Sequence, residues 1–180
     1  MRKLRNEELD RLSVDEFKKA GKIPLVLVLD NVRSMHNTGS VFRSADAFLV
    51  SKLILCGITA VPPHKDIHKT ALGATESVEW QYYKDTLDAV NELKGKGYRV
   101  VAIEQTEGSI SLSEFVTEPG EKYAVILGHE IRGVQQKVVN ACDAFIDIPQ
   151  YGTKHSLNIS VCAGIVIWEF YKKLILAGKG

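Results

Sequence analysis

The sequence predicts an α/β domain built on a mostly parallel sheet. Short apolar runs alternate with helix-period segments along the whole chain, as strands joined by crossover helices require. The run at residues 23–29 is almost unbroken in Val, Leu and Ile, which suits a strand covered on both faces. Polar loops follow predicted strands at Asp30, Glu104, Gly128 and Pro149. That edge is where open α/β sheets bind ligands.

Taken in order, residues 5–20 predict a surface helix with a thin stripe of Leu9, Leu12 and Phe17. Ser13-Val-Asp-Glu16 resembles a capping box within it, and Gly21 and Pro24 end it. After the first strand, a helix is expected over 39–48, with Val41, Phe42, Ala45, Phe48 and Leu49 on one side. A strand at 52–58, a polar proline-broken connection over 61–75 and a short strand at 78–82 come next. A helix over 86–94 is closed by Gly95 and Gly97. Strands at 99–103 and 123–127, a helix at 134–142, a strand at 144–148 and a long apolar helix at 156–176 complete the pattern. The expected organisation is a helical extension over 1–22 and one domain over 23–180, since no linker divides the remainder.

A length of 180 residues suits one domain with a full core, and 45% apolar with 25% charged residues is ordinary for a globular chain. The formal charge of +1 argues against indiscriminate coating of nucleic acid and leaves room for a local basic patch. No apolar run approaches a bilayer span, and the charged N-terminus lacks the apolar core of a secretory signal, so no membrane association and a cytoplasmic location are expected. Cys56, Cys142 and Cys162 form no C-x-x-C pair and sit in apolar segments, so they are expected as reduced, buried thiols.

Three loops carry the chemistry. In the first, Asn37, Thr38 and Gly39 precede a helix in which Arg43 follows. Asn37 and Thr38 could simply cap that helix, and Arg43 could pair with Asp46. In the second, Gly128 and Gly133 bracket His129, Glu130, Ile131 and Arg132, and a mere turn does not explain the ionisable residues between them. In the third, Ile148-Pro149 leads through Lys154 and His155 to Ser156, Leu157 and Asn158, of which Ser156 and Asn158 can cap a helix or meet a ligand. Dinucleotide and P-loop glycine motifs are missing, as is a G-x-S-x-G elbow. His64 and His68 lie four apart, but no third ligand accompanies them, so no metal is expected.

These loops, Asn37-Thr-Gly-Ser-Val-Phe-Arg43, Leu127-Gly-His-Glu-Ile-Arg-Gly133 and Ile148-Pro-Gln-Tyr-Gly-Thr-Lys-His-Ser-Leu-Asn158, resemble in order the three motifs of the SpoU (TrmH) RNA ribose methyltransferases of the SPOUT superfamily. The resemblance covers roughly residues 23–176, and a departure in size is expected: many relatives carry an added RNA-binding domain or long terminal helices, where only a short N-terminal helix and a brief tail are expected here. It implies helices on both faces of the sheet, a deep trefoil knot in the C-terminal half and a homodimer with its site at the subunit interface. It also implies S-adenosylmethionine-dependent methylation of a ribose 2′-hydroxyl in tRNA or rRNA, with a tilt to tRNA guanosine. The implied catalytic residues are Arg43, Asn37, Glu130, Ser156 and Asn158; the implied cofactor residues are Thr106, Leu127, Gly128, Ile148, Pro149, Ser156 and Leu157. Arg43 is the base in the family account. The alternative is a charged phosphate clamp, since a guanidinium holds its proton. A non-catalytic RNA-binding module with the same fold, and a small-molecule enzyme using the same sheet edge, are the competing readings.

Overall fold

The structure, a computed structural model, describes residues 1–177. Among them, seven strands form one sheet: β1 (Ile23–Asp30), β2 (Val50–Cys56), β3 (Trp80–Tyr83), β4 (Tyr98–Ile103), β5 (Ile110–Ser111), β6 (Lys122–Leu127) and β7 (Ala144–Asp147). Their order is β3-β2-β1-β6-β4-β7-β5, and the pairings are parallel. Side chains alternate along each strand, so the sheet feeds two cores. Leu25, Leu27 and Leu29 of β1 join Leu53, Leu55, Val125 and Leu127 on one face. Val26 and Val28 join Ile54, Val100, Ala102 and Ile126 on the other. Burial of both faces is why the run at 23–29 shows no polar alternation.

The first core is covered by α2 (Met35–Ala47), α3 (Lys65–Ala71), α4 (Ala74–Ser77) and α7 (Ile159–Tyr171), and Phe17 of α1 (Val14–Lys19) is buried in it. The second lies under α5 (Thr86–Gly95) and α6 (Gln136–Val139). Phe42 of α2 and Phe170 of α7 are fully buried; side chains of this kind contribute about 1.5–3 kcal/mol each. No helix among the described residues is long and apolar enough to cross a membrane.

Several boundaries differ from the expectation. Residues 5–20 do not form one helix: a 3-10 turn at Asn6–Glu8 is broken where Asp10 takes a left-handed φ of 45°, and α1 starts only after the Ser13–Glu16 capping box. The connection at 61–75 contains α3 and the start of α4. Only Ile67 and Ala71 of α3 are buried, too short a stripe to register as a period, and His64 caps it by accepting from the Asp66 N–H (3.2 Å). The helix expected from 39 starts at Met35, with Ser34 as its cap, so Asn37 and Thr38 lie inside the helix. The helix expected from 156 starts at Ile159, which leaves Ser156 and Leu157 in the loop. The helix expected over 134–142 is shorter, α6 alone, and the two-residue edge strand β5 was not foreseen. The implied knot concerns how residues 128–158 thread, and the strand order is compatible with it.

Gly39 explains how α2 and α3 meet. A Cβ there would run into Thr70 Oγ1 and the Ile67 carbonyl. Thr70 in turn donates to the His36 carbonyl (2.9 Å), locking the crossing. Gly39→Ala should therefore destabilise by about 1–3 kcal/mol in urea melts, the usual cost of overpacking. Gly95→Ala, in open space at the end of α5, should not destabilise, since it removes only backbone freedom. Equal effects of the two substitutions would remove close packing as the reason for Gly39.

Candidate active site

The sheet brings the three loops together because its central strands end level. Leu29 pairs with Leu127, Ala102 with Ile126 and Ile103 with Ile146. The segments that follow β1, β6, β4 and β7 thus emerge side by side at one edge. Between them lies a cleft walled by the apolar side chains of Ile103, Leu127, Ile148 and Leu157 and by the polar Glu104 and Ser156.

Side chains tie the loops to one another across this edge. The Glu130 carboxylate accepts from the Arg33 N–H (3.0 Å), the Ser34 N–H (2.9 Å) and Asn37 Nδ2 (3.2 Å). Burial opposes ionisation of Glu130, but these donors, with its own backbone N–H, overcome it and hold the carboxyl below its ordinary value. Asn37 Oδ1 accepts from Asn158 Nδ2 (3.2 Å). Asn158 Oδ1 caps α7 by accepting from the Ser160 N–H (2.9 Å) and the Val161 N–H (3.4 Å). Asn37, Glu130 and Asn158, one from each loop, form a single hydrogen-bonded chain.

The two glycines of the second loop have steric reasons. A Cβ on Gly128 would strike the backbone of Gly133 and Val134, which folds back against it through the His129–Gly133 bridge. Gly133 has φ of 65°, and a Cβ there would meet the Glu104 carboxylate. Glu104 Oε2 accepts from the Val134 N–H (2.9 Å). One residue after Val134, Gln135 donates its N–H (2.9 Å) and its Nε2 (2.7 Å) to the fully buried Asp30, which also accepts from Thr86 Oγ1 (2.6 Å). Glu104 and Asp30 were visible in the sequence only as polar residues ending apolar runs. That signal placed them at the ligand edge without revealing that they brace the second loop.

Of the residues expected to hold a cofactor, Leu127, Gly128, Ile148, Ser156 and Leu157 line the cleft. Thr106 and Pro149 do not line it. Thr106 Oγ1 is buried without a hydrogen-bond partner among the described residues. Ser156 is exposed, and Asn158 alone caps α7. Cys162 also borders the cleft, but burial and the nearby Glu104 charge push its thiol up to about 11, which excludes it as a neutral-pH nucleophile. Cys56, Cys142 and Cys162 are all unpaired thiols, Cys56 buried and the other two half-buried.

Arg43 stands apart. It is exposed on α2 and has no hydrogen-bond or ion-pair partner among the described residues. The pairing with Asp46 does not form, because Asp46 instead accepts from Ser77 Oγ. The structure thus joins Asn37, Glu130 and Asn158 directly, places Ser156 on the cleft wall, and leaves Arg43 free in solvent on the helix that carries Asn37.

Residues 24–168 match the model of the SpoU rRNA Methylase family. The 23S rRNA (guanosine-2′-O-)-methyltransferase RlmB of Nitrosomonas europaea is 34% identical over 149 residues, which cover 83% of this chain and 56% of that protein. The fold is similar to that of the A. aeolicus TrmH/SpoU tRNA modifying enzyme, with a TM-score of 0.78 and 26% identity over 90% of this chain and 80% of that one. It is equally similar to an AdoMet-bound rRNA methyltransferase from Sinorhizobium meliloti, with a TM-score of 0.79 and 26% identity over 92% and 62% of the two chains. The chain spans less than two thirds of the length of the curated relatives it matches. The family model runs through all three loops, and the resemblance they carry is borne out: the chain belongs to the SpoU rRNA methylase family.

Proposed function

We propose that this chain is an S-adenosylmethionine-dependent RNA 2′-O-ribose methyltransferase that acts as a cytoplasmic homodimer. The observation that carries the reading is the hydrogen-bonded chain through Glu130, Asn37 and Asn158 at the mouth of the cleft. A helix cap would need one of these residues; a turn would need none of them joined.

The cleft fits the cofactor. Leu127, Ile148 and Leu157 offer apolar surface to a purine, and Gly128 exposes backbone to it. Pro149 shapes the exit from β7, and Ser156 closes the wall. When bound, the cofactor supplies a methyl group activated by a positively charged sulfur.

The residues of the chain then align a sugar hydroxyl and manage its proton. A ribose hydroxyl is scarcely ionised near neutral pH, so alignment and stabilisation of negative charge on oxygen are the main needs. Asn37 is held at both ends of its amide, by Glu130 and by Asn158, and so presents a fixed surface to the ribose. Arg43, two turns into the same helix, is free to take an RNA phosphate and keeps its charge there. We assign it the clamp role, with stabilisation of the developing alkoxide.

Exposed apolar surface supports the homodimer. The α7 helix is apolar almost all round, as a covered helix is. Yet Val161, Ile165 and Trp168 are 52%, 39% and 46% exposed and share one face. A second copy would cover that stripe and complete the site beside the exposed residues 151–158. The named relatives act on a 23S rRNA guanosine and on tRNA; for this chain we favour a tRNA guanosine ribose. Methyl transfer to separated tRNA and rRNA, with mapping of the modified nucleotide, tests the substrate. Failure to bind cofactor or to methylate either pool would leave the RNA-binding module as the better reading.

Asn37→Ala should lower kcat by about 10²-fold, on the scale of one lost orienting donor, and leave cofactor affinity in calorimetry within a few fold; a collapse of that affinity would displace Asn37 from the ribose side. Arg43→Lys should keep a measurable rate at neutral pH if the residue is a charged clamp. A variant dead at pH 7 and rescued near pH 10 would make Arg43 the base instead. Trp168→Glu should shift the protein to monomer in sedimentation and abolish turnover, and an unchanged dimer would move the interface elsewhere.

A further inference from the structure

Three carboxylates, Glu104, Glu130 and Asp147, line the cleft, and none has a cationic partner among the described residues. Glu130 is engaged by the first loop, and Glu104 is the one bonded to the backbone that closes the second. Glu104 follows β4 directly, and its backbone N–H extends the ladder to the Ile146 carbonyl (3.0 Å), so its position is set by the sheet. Its side chain accepts only two backbone donors, Val134 N–H (2.9 Å) and Gln105 N–H (3.2 Å). Among the described residues, no Lys or Arg lines the cleft. A carboxylate can accept about four hydrogen bonds, and a half-buried charge left partly unsatisfied is costly. A ligand that displaces water from the cleft must supply the remaining donors.

The neighbours narrow what those donors are. Asn37, Glu130 and Asn158 gather where the first and third loops meet, and RNA must approach that side for Arg43 to touch it. Glu104 is held instead against Gly133 and Val134, at the turn where the second loop folds back. Thr106, with its unpartnered hydroxyl, lies two residues further along the same segment. Of this segment, Glu104 lines the cleft and offers an acceptor pair to the nucleoside part of the cofactor. Among the donors of a nucleoside, a vicinal diol matches a carboxylate in bidentate fashion, and α/β enzymes that bind dinucleotides use an acid at a strand end in this way.

We propose that Glu104 binds the ribose hydroxyls of the cofactor and so sets recognition of its sugar, a role that rests on the cofactor reading above. The same carboxylate then does two things: it braces the second loop through Val134 and it reads the diol. Gly133 is required because any side chain there would occupy the carboxylate's place.

The test is calorimetric titration of the full chain, wild type and Glu104→Gln, with S-adenosylhomocysteine, its 2′,3′-dideoxyribose analogue and S-adenosylmethionine. Wild type should prefer the diol over the dideoxy ligand by about tenfold, the size of a charge-assisted hydrogen bond. In Glu104→Gln the preference should fall to about twofold, with S-adenosylhomocysteine and S-adenosylmethionine weakened alike. The amide oxygen can still accept from Val134 but not from Gln105 as well, so the unliganded variant should melt somewhat lower, and the diol preference, a ratio of two ligands on the same variant, is read independently of that loss. A full diol preference retained in the variant, or no preference in wild type, overturns the assignment. A loss confined to S-adenosylmethionine gives Glu104 to the sulfonium and also overturns it. Wild type that binds none of the three ligands would instead overturn the cofactor reading itself.

Discussion

The Glu130 carboxylate is the joint on which the site depends. Its donors, Arg33, Ser34 and Asn37, lie more than ninety residues earlier in the chain. Hydrogen bonds to a charged acceptor contribute about 1.5–3 kcal/mol each, against about 1 for neutral pairs. Here they are strong enough together to outweigh the burial that opposes the charge. Through Asn37 the constraint passes to Asn158, which caps α7. The N-termini of α2 and α7, the two thirteen-residue helices, are thus referred to one carboxylate.

Glu130 is not alone in kind. Asp30 and Glu104 also stand at or just past strand ends, and each accepts from backbone N–H groups of the second loop rather than from a cation. The parallel sheet explains the repetition. Every strand delivers its C-terminal end to the same edge, and the helices that follow begin there with N–H groups free of helical partners. That edge is rich in donors, so carboxylates are the side chains that settle it. Gln135, Val134, Ser34 and Arg33 are held by acid, and the loops between them become a rigid frame without any ion pair.

Much of this was legible in the sequence, for reasons that differ by element. The strands could be read because burial on both faces left no polar residue inside 25–29, 53–56 or 123–127. The three loops could be read because their polar residues are too many for turns. What escaped was local. α3 hides behind a stripe of two buried residues, and α2 starts a turn early because Ser34 caps it, a choice that Asn37 and Thr38 could equally have made. The link from Asn37 to Glu130 spans 93 residues and was out of reach, since no local rule relates positions so far apart. The same holds for Gly39, which needs the Ile67 carbonyl on the neighbouring helix to explain it.

The site divides into a closed part and an open part, and the division follows the size of what each must hold. Around Gly128, Gly133 and Glu104 the backbone is packed against itself, and a single added carbon would collide. A small ligand met by such a frame has one pose, and holding it there avoids reorganisation when charge develops. Residues 151–158, by contrast, are exposed throughout, as is Arg43. On the proposed function, a folded RNA would be too large for the cleft, so its contacts would lie on this open surface and be completed on arrival. A net charge of +1 supplies no broad field to pull that RNA in. On the proposed function, discrimination would fall on a few local cations such as Arg33, Arg43 and Lys154, exposed around a frame held by acids. On such a surface a misplaced RNA gains little, because few phosphates find a partner unless the right ones meet these residues together.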